Sequence, residues 1–398
     1  MANRKIALIT IHTPTPENTR GASALPYHLI ANRPNSCDIR VYSYNINRVD
    51  NESITTISHN LDCQIRVLSQ NFGFKFLRNR LSALLRAVLP YPVFHYLKLP
   101  TETAEEITKW ADNVWIYGEE LAEMVSIFPK KQNVVTTPDC EAMYYRRVLD
   151  MPSKLPSYGK IFRYGRAYWQ YLNVVRSFPT ENVVYHLVGE EDASFLRGIN
   201  PQACAIFIPH PHYEGNDRRT IKFVTPKIRL ILPGRYDFYC HEAIDCAIDA
   251  MVQHSELAKY YNITFQGRNW DIPASKLEKV GYSVELKGFV QNYKDELCKH
   301  DIQLSPISVG TGTKGKVLDA FVNGLLVIAP LRAIENIQVE NKSDYLFYKT
   351  GSELIEILKA IPHDIEHYER VADRGRNAVL EKHSTQTVAK RFFELFRL

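Results

Sequence analysis

The densest group of residues able to do chemistry lies between Gly310 and Asp319: Gly310, Thr311, Gly312, Thr313, Lys314, Gly315, Lys316, Val317 and, within a helical turn, the acid Asp319. Glycines let bare backbone N–H groups approach an anion closely. A helix starting at this point directs its positive end at the same spot, and Lys314 and Lys316 add full charges. The Asp319 carboxylate is suited to accept hydrogen bonds from ribose hydroxyls. The combination fits a nucleoside diphosphate. The spacing is neither Gly-x-x-x-x-Gly-Lys-Ser/Thr nor Gly-x-Gly-x-x-Gly. A glycine-rich connection with two solvated lysines is the other reading of the same composition.

Holding such a loop requires a strand before it and a helix after it. Residues 302–304 end an apolar strand, 317–322 begin an amphipathic helix closed by Asn323-Gly324, and 325–329 form a second buried strand. Upstream, Gly234 and Arg235 follow an apolar strand over 229–232. Arg235 is the best candidate for a bidentate phosphate clamp, with a surface arginine beside a turn as the alternative. Strands over 262–266, ending in Gly267-Arg268, and 282–286, with a helix over 242–254, complete the pattern of the second half.

The first half alternates in the same way. Strands are predicted over 5–11, 38–44, 64–68, 113–117, 133–137, 182–187 and 205–208, with helices between them. Alternation in both halves predicts an α/β chain of two doubly wound parallel sheets. The texture breaks at Pro209-His210-Pro211 and stays polar to Lys222, which gives a first domain over 1–208, a linker over 209–222 and a second domain over 223–383. An amphipathic helix over 384–398 closes the chain.

A length of 398 residues, with 45% hydrophobic and 23% charged residues, accommodates two cores. No run reaches the roughly 18–20 apolar residues of a membrane-spanning helix, and the opening MANRKIALITIHTPTP does not read as a secretory leader. The seven cysteines are scattered without a Cys-x-x-Cys pair, which predicts a reducing compartment, no disulfide framework and no structural zinc. Net charge is +5, but residues 63–101 and 151–180 contain no Asp or Glu while carrying Arg78, Arg80, Arg86, Arg163, Arg166 and others among aromatic residues. Residues 71–99 read as one or two helices with apolar residues at three-to-four spacing and arginines on the flank. Two readings fit: a core-facing helix with a solvated basic face, or an interfacial helix resting on anionic lipid. Nucleic-acid binding through the same basic segments is not expected, because the acid-free stretches carry buried-looking helices.

The run Ser305-Pro306, Gly310 to Ala320, Asn323-Gly324 and Val327-Ile328-Ala329 resembles the C-terminal-domain signature of retaining GT-B glycosyltransferases, and more narrowly the large family-four-like group that assembles bacterial polysaccharides. The dense match covers about 25 residues, and the rest of the chain follows by order of elements. The resemblance implies two Rossmann-like domains facing across a cleft, with the last helix crossing back to brace the first. It also implies a donor linked to UDP or GDP, and a lipid-linked or polysaccharide acceptor in lipopolysaccharide, capsule or exopolysaccharide assembly. The location implied is cytoplasmic, with peripheral contact to the inner face of the plasma membrane through 71–99 and 151–180.

By the same resemblance, the loop after the first strand, with His12 and Gly21, lies against donor phosphates and acceptor, and Gly288-Phe289-Val290 forms the base pocket. Asp139, with the following Tyr144-Tyr145-Arg146-Arg147, matches the order of an acid and a basic, Tyr-rich helix. His12, Asp139 and His186, at strand ends, are candidates to orient an acceptor. The chain has no Asp-x-Asp and no metal-ligand spacing, so a metal-independent, cofactor-free arrangement of Arg235, Lys314, Lys316 and loop N–H groups is expected. No paired carboxylates for hydrolysis and no Gly-x-Ser-x-Gly elbow are present. Four departures from the family pattern stand out. Tyr239-Cys240-His241 occupies the place of a usual Lys, and Ser308 that of a common Arg. Thr311 replaces a frequent acid, and the ribose-binding acid is Asp319 rather than Glu. A nucleotide-sugar 2-epimerase and a catalytically silent sugar- or nucleotide-binding paralogue are the competing readings.

Overall fold

The structure is a computed structural model that describes residues 4–18, 22–151, 158–213, 219–237 and 241–397. It divides into two compact units, Met1–Pro211 with Thr385–Leu398, and His212–Ser384.

In the first unit, strands β1 (Arg4–Thr10), β2 (Cys37–Ser43), β3 (Gln64–Val67), β4 (Asn113–Tyr117), β5 (Gln132–Thr136), β6 (Val183–Leu187) and β7 (Ala205–Phe207) form one sheet in the order β3-β2-β1-β4-β5-β6-β7. Every ladder in it is parallel. Parallel strands with helices on both sides are apolar on both faces, and β1 shows it: Ala7 and Ile9 enter one core, Ile6 and Leu8 the other. The second core is closed by the final helix, Thr385–Glu394, whose Phe392 and Phe393 pack on Trp115 of β4 at centroid distances of 4.7 and 6.3 Å.

The second unit contains β8 (Ile228–Arg235), β9 (Tyr261–Arg268), β10 (Ser283–Lys287), β11 (Ile302–Leu304), β12 (Leu326–Ala329) and β13 (Leu346–Phe347), in the order β10-β9-β8-β11-β12-β13 and again parallel. The strand predicted over 229–232 runs on through Pro233 and Gly234 to Arg235, and β9 likewise to Arg268. The ladder holds these residues because Gly234 pairs with Gly267 and Arg235 with Arg268. Helices Asp271–Glu278, Gly351–Ala360 and Ile365–Lys382 were not legible as separate elements in the sequence pattern.

Two stretches differ from expectation. The helices read over residues 71–99 are two short ones, Phe72–Arg78 and Ala83–Val88, separated and followed by 3-10 turns at Arg80–Ser82 and Val93–Tyr96, so that they cover only part of the stretch. Asn79 turns extended and caps the 3-10 turn through its side chain, and Pro90 and Pro92 prevent continuation. Of the apolar residues there, Phe74 and Leu77 are buried, whereas Phe72, Leu81, Leu84 and Val88 are exposed. Within the linker run, residues 219–222 are tied to the second unit: Arg219 donates to the Asn323 carbonyl at 2.9 Å, and Lys222 pairs with Glu369 at 2.7 Å.

Candidate functional site

Open parallel sheets bind ligands beyond the carboxyl ends of their strands, where the strand order reverses. In the second unit the order reverses between β8 and β11. The carboxyl end of β8 carries Gly234 and Arg235, and that of β11 leads into the glycine-rich loop over 305–314, so the topology joins the two stretches that the sequence separates by about 70 residues.

The loop is fixed from several sides. Gln303, fully buried on β11, donates its Nε2 to Ser305 Oγ at 2.9 Å and to the Lys316 carbonyl at 3.2 Å. Asn336 donates its side-chain N–H to the Gly312 carbonyl at 2.8 Å. Lys314 curls into the loop, its ammonium donating to the Thr311 carbonyl at 2.8 Å and the Gly312 carbonyl at 3.1 Å. Gly310 leaves room for it: a Cβ there would stand 2.7 Å from Lys314 Cε, and its φ of 151° disfavours any other residue. Thr311 is buried and Thr313 half-buried. Lys314 therefore shapes the cradle through its own side chain and is the N-cap of the helix Gly315–Val322.

Lys316 points to β8. A Cβ built on Gly234 would lie 4.0 Å from its Nζ, which stands 6.0 Å from the Tyr293 ring centroid. Val317 is buried beneath it. Asp319, a turn further on, is half-buried. Burial raises its carboxyl to about 7, opposed by the nearby Lys316 charge. Among the described residues neither Asp319 carboxylate oxygen takes a hydrogen bond, and the buried Tyr293 hydroxyl has no partner.

Arg268 was not singled out by the sequence, although its Gly-Arg dipeptide repeats that of β8. Paired residues of a parallel ladder project to the same face with their backbones about 4.8 Å apart. The register therefore sets two exposed arginines side by side at the strand exits. Among the described residues neither meets a carboxylate. Two uncompensated guanidiniums side by side, at the end of the strand whose Gly234 lies next to Lys316 Nζ, favour a polyanion. Gly288, Phe289 and Val290 follow the edge strand β10, two strands from β8, and Phe289 is 95% exposed. Gly21 and Cys240 lie outside the described residues.

In the first unit the order reverses between β1 and β4. His12 leaves β1 half-buried, its ring edge-on to Phe94 at 6.5 Å, and burial lowers its pKa so that it is neutral at physiological pH. Across the switch, Gly118 (φ 119°) turns β4 into Glu119 and Glu120. Glu119 accepts from the Glu141 backbone N–H at 3.2 Å, and Glu120 from the Tyr171 hydroxyl at 3.0 Å. Burial and mutual repulsion hold Glu119 well above the usual carboxyl range, and burial raises Glu120. Burial followed by the charges of Glu120, Asp139 and Asp192 raises Glu141 to about 8. The exposed Asp139 sits at the mouth of this group. Asp139 and Glu141 are neighbours in the sequence, whereas Glu119 and Glu120 carry only the weak signal of two acids one glycine after an apolar strand. Glu141 therefore retains its proton near neutrality, and such a group suits proton transfer or recognition of hydroxyls.

His186 is a core residue rather than a site residue. It is 1% exposed, 3.2 Å from Thr136 Oγ1 and 5.0 Å from the Phe392 ring, with burial lowering its pKa to about 3. Among the described residues no group of three or more His, Cys, Asp or Glu side chains is placed to hold a metal ion.

No family model and no curated protein matches the chain. Solved structures do. A crystal structure of Anabaena HepE in complex with UDP superposes with a TM-score of 0.63 at 12% identity, over 99% of each chain. Sucrose-phosphate synthase from Thermosynechococcus elongatus gives 0.66 at 13%, over 99% of this chain and 98% of that one. A glycosyltransferase from Rickettsia africae gives 0.66 at 10%, over 99% and 98%. At these identities the likeness establishes the fold: two Rossmann-like parallel-sheet domains of the GT-B kind.

Proposed function

We propose that this chain is a glycosyltransferase of the retaining, metal-independent kind, moving a hexose-type sugar from a UDP- or GDP-linked donor to a lipid-linked or polysaccharide acceptor in cell-surface glycan assembly. The observation that carries the reading is the placement, at the switch point of the second sheet, of Gly234-Arg235 next to Lys316 and the loop that Lys314 shapes, with Arg268 paired beside Arg235. The fold likeness to structures solved with UDP or UDP-glucose supports the donor class.

In this reading the diphosphate lies against the cations and the loop N–H groups, and Asp319 takes the ribose hydroxyls. As the bond from the sugar's anomeric carbon to the diphosphate oxygen breaks, negative charge grows on that oxygen. Fixed cations stabilise it without reorganisation. The acceptor hydroxyl forms the new bond on the same face and gives its proton to the departing phosphate. The acceptor is assigned to the first unit, where His12, Asp139 and Glu141, its carboxyl raised to about 8, offer donors and acceptors to a hydroxyl. No helix among the described residues is long and apolar enough to cross a membrane. A peripheral position on the inner membrane face is part of the proposal, supported by the exposed apolar and basic residues within 71–99 and 151–180.

The test is a thermal-shift screen of UDP, GDP, ADP, CMP and their sugars, because a ligand that binds the native state raises the unfolding midpoint by mass action. Selective stabilisation by one nucleotide, and its release from the sugar nucleotide only when acceptor is present and with chelator added, is expected. Tight binding without turnover on any acceptor would favour the silent paralogue. Nucleotide release without acceptor would favour the epimerase.

A further inference from the structure

We propose that a cavity of about 560 Å³ in the first unit, lined by Arg78, Ala83, Arg86, Val93, Phe94, Arg166 and Gln170, binds the phosphoryl group of a lipid-linked phosphate. The volume lies within the ~300–1,000 Å³ of small-molecule sites. Its two walls come from the two acid-free stretches of the sequence. The helix Tyr158–Arg176 is fixed against the segment before it by Gln170 Nε2 donating to the Leu89 carbonyl at 2.8 Å and Asn173 Nδ2 donating to the Pro90 carbonyl at 3.1 Å. That contact brings Arg166 to Arg78 and Arg86.

Among the described residues none of the three guanidiniums meets a carboxylate. Arg86 is held by the Leu77 carbonyl at 2.8 Å and the Asn79 carbonyl at 3.1 Å, Arg78 lies over the Phe74 ring at 5.6 Å, and Arg166 has a buried Nε without a partner. Three converging cations with no internal counter-charge are unfavourable unless an anion joins them. Arginine's planar fork suits phosphoryl oxygens in particular. Phe94 gives the site its place in the fold: it lines the cavity and also faces His12, at the carboxyl end of β1. The apolar part of the ligand is argued from the rim. Leu81, Leu84 and Leu85, within a turn of lining residues, are 88%, 86% and 42% exposed, and Phe162 and Trp169 on the facing helix are 67% and 43% exposed. Apolar side chains this exposed around a cationic cavity match a ligand with a phosphoryl head and a hydrocarbon tail, and make a free phosphate the poorer fit.

The inference rests on the transferase reading only for naming this ligand as the acceptor. The probes are farnesyl diphosphate and inorganic pyrophosphate, titrated calorimetrically into the full chain carrying Arg235→Ala and Lys316→Ala, so that the second unit does not compete. Farnesyl diphosphate is expected to bind at least tenfold more tightly than pyrophosphate. Arg78→Ala with Arg166→Ala should weaken it at least tenfold, and Leu81→Ser with Leu84→Ser should remove the preference for the prenyl compound. Circular dichroism checks the fold of each variant. Binding unchanged by the arginine substitutions would overturn the proposal, as would equal affinity for the two probes. Equal capture of wild type and the double-arginine variant on phosphatidylglycerol vesicles, without farnesyl diphosphate binding, would also overturn it and leave a general anionic-lipid surface. Absence of nucleotide binding by the wild-type chain would instead count against the transferase reading alone.

Discussion

Gly267 stands so close behind Gly234 that a Cβ on Gly267 would lie 1.6 Å from the Gly234 carbonyl oxygen. Both have positive φ, 131° and 136°. This close pairing sets Arg235 beside Arg268, and Lys316 Nζ lies 4.0 Å from where a Cβ on Gly234 would stand. Gly267→Ala is expected to destabilise the protein by roughly 3 kcal/mol or more through clash and backbone strain. Thermal unfolding, with and without UDP, would register both a lower midpoint and a smaller ligand shift.

The cations should be separable by nucleotide affinity. Arg235→Ala, Arg268→Ala and Lys316→Ala each remove a charge-assisted contact of about 1.5–3 kcal/mol, equivalent to roughly ten- to a hundredfold in Kd. Arg235→Lys should recover little, since an ammonium does not reproduce a bidentate fork. Calorimetric titration with UDP and GDP distinguishes these outcomes from unaltered binding, which would place the diphosphate elsewhere.

Asp319, raised to about 7 by burial, makes donor binding pH-dependent. Above pH 7 it is a carboxylate able to accept from both ribose hydroxyls, and below pH 7 protonation removes an acceptor. Affinity for a nucleotide should therefore rise as pH increases through about 7, and Asp319→Asn should flatten that dependence at the weaker, low-pH level. A set of Kd values between pH 5.5 and 8.5 decides the matter.

The glutamates of the first unit predict a stability trend of a definite sign. Glu141 has its carboxyl raised to about 8 in the fold. From its ordinary value up to pH 8 the native state holds more protons than the unfolded chain. Stability from this group is therefore fully present at low pH and lost as pH rises through about 8. Glu119 and Glu120 act in the same direction. Glu141→Gln should raise the unfolding midpoint at pH 8 by several degrees (about 2–4 °C per kcal/mol for a domain of this size) and change it little at pH 5.

Phe392 joins the final helix to β4. Its ring is fully buried against Trp115 and His186. Phe392→Ala should cost about 3–5 kcal/mol, with loss of near-ultraviolet Trp signal in the first unit, while nucleotide binding in the second unit persists at temperatures below the new midpoint.

The alternation of apolar strands and amphipathic helices was enough to read two parallel-sheet domains, because strand period and helix period are local properties. The glycine-rich loop, its lysines and Asp319 were legible for the same reason: they lie within ten residues of one another. Residue type also pointed to Arg235. The role of Arg268 was not legible, because it lies in the β8–β9 register, which only strand pairing creates. Asn336 binds Gly312 from across a strand and two helices, with no signal in spacing. The group around Glu141 draws residues from the exits of β4 and β5, and their raised pKa values come from shared burial, a tertiary property. His186 shows the converse: a histidine at a strand end looked chemical until the final helix covered it. The arginine cavity joins segments about 80 residues apart, and sequence could show only that both lacked acids. Local pattern determined the elements and the charge of each stretch; packing decided which charges face one another, because long-range pairing sets the distances over which electrostatics and hydrogen bonds act.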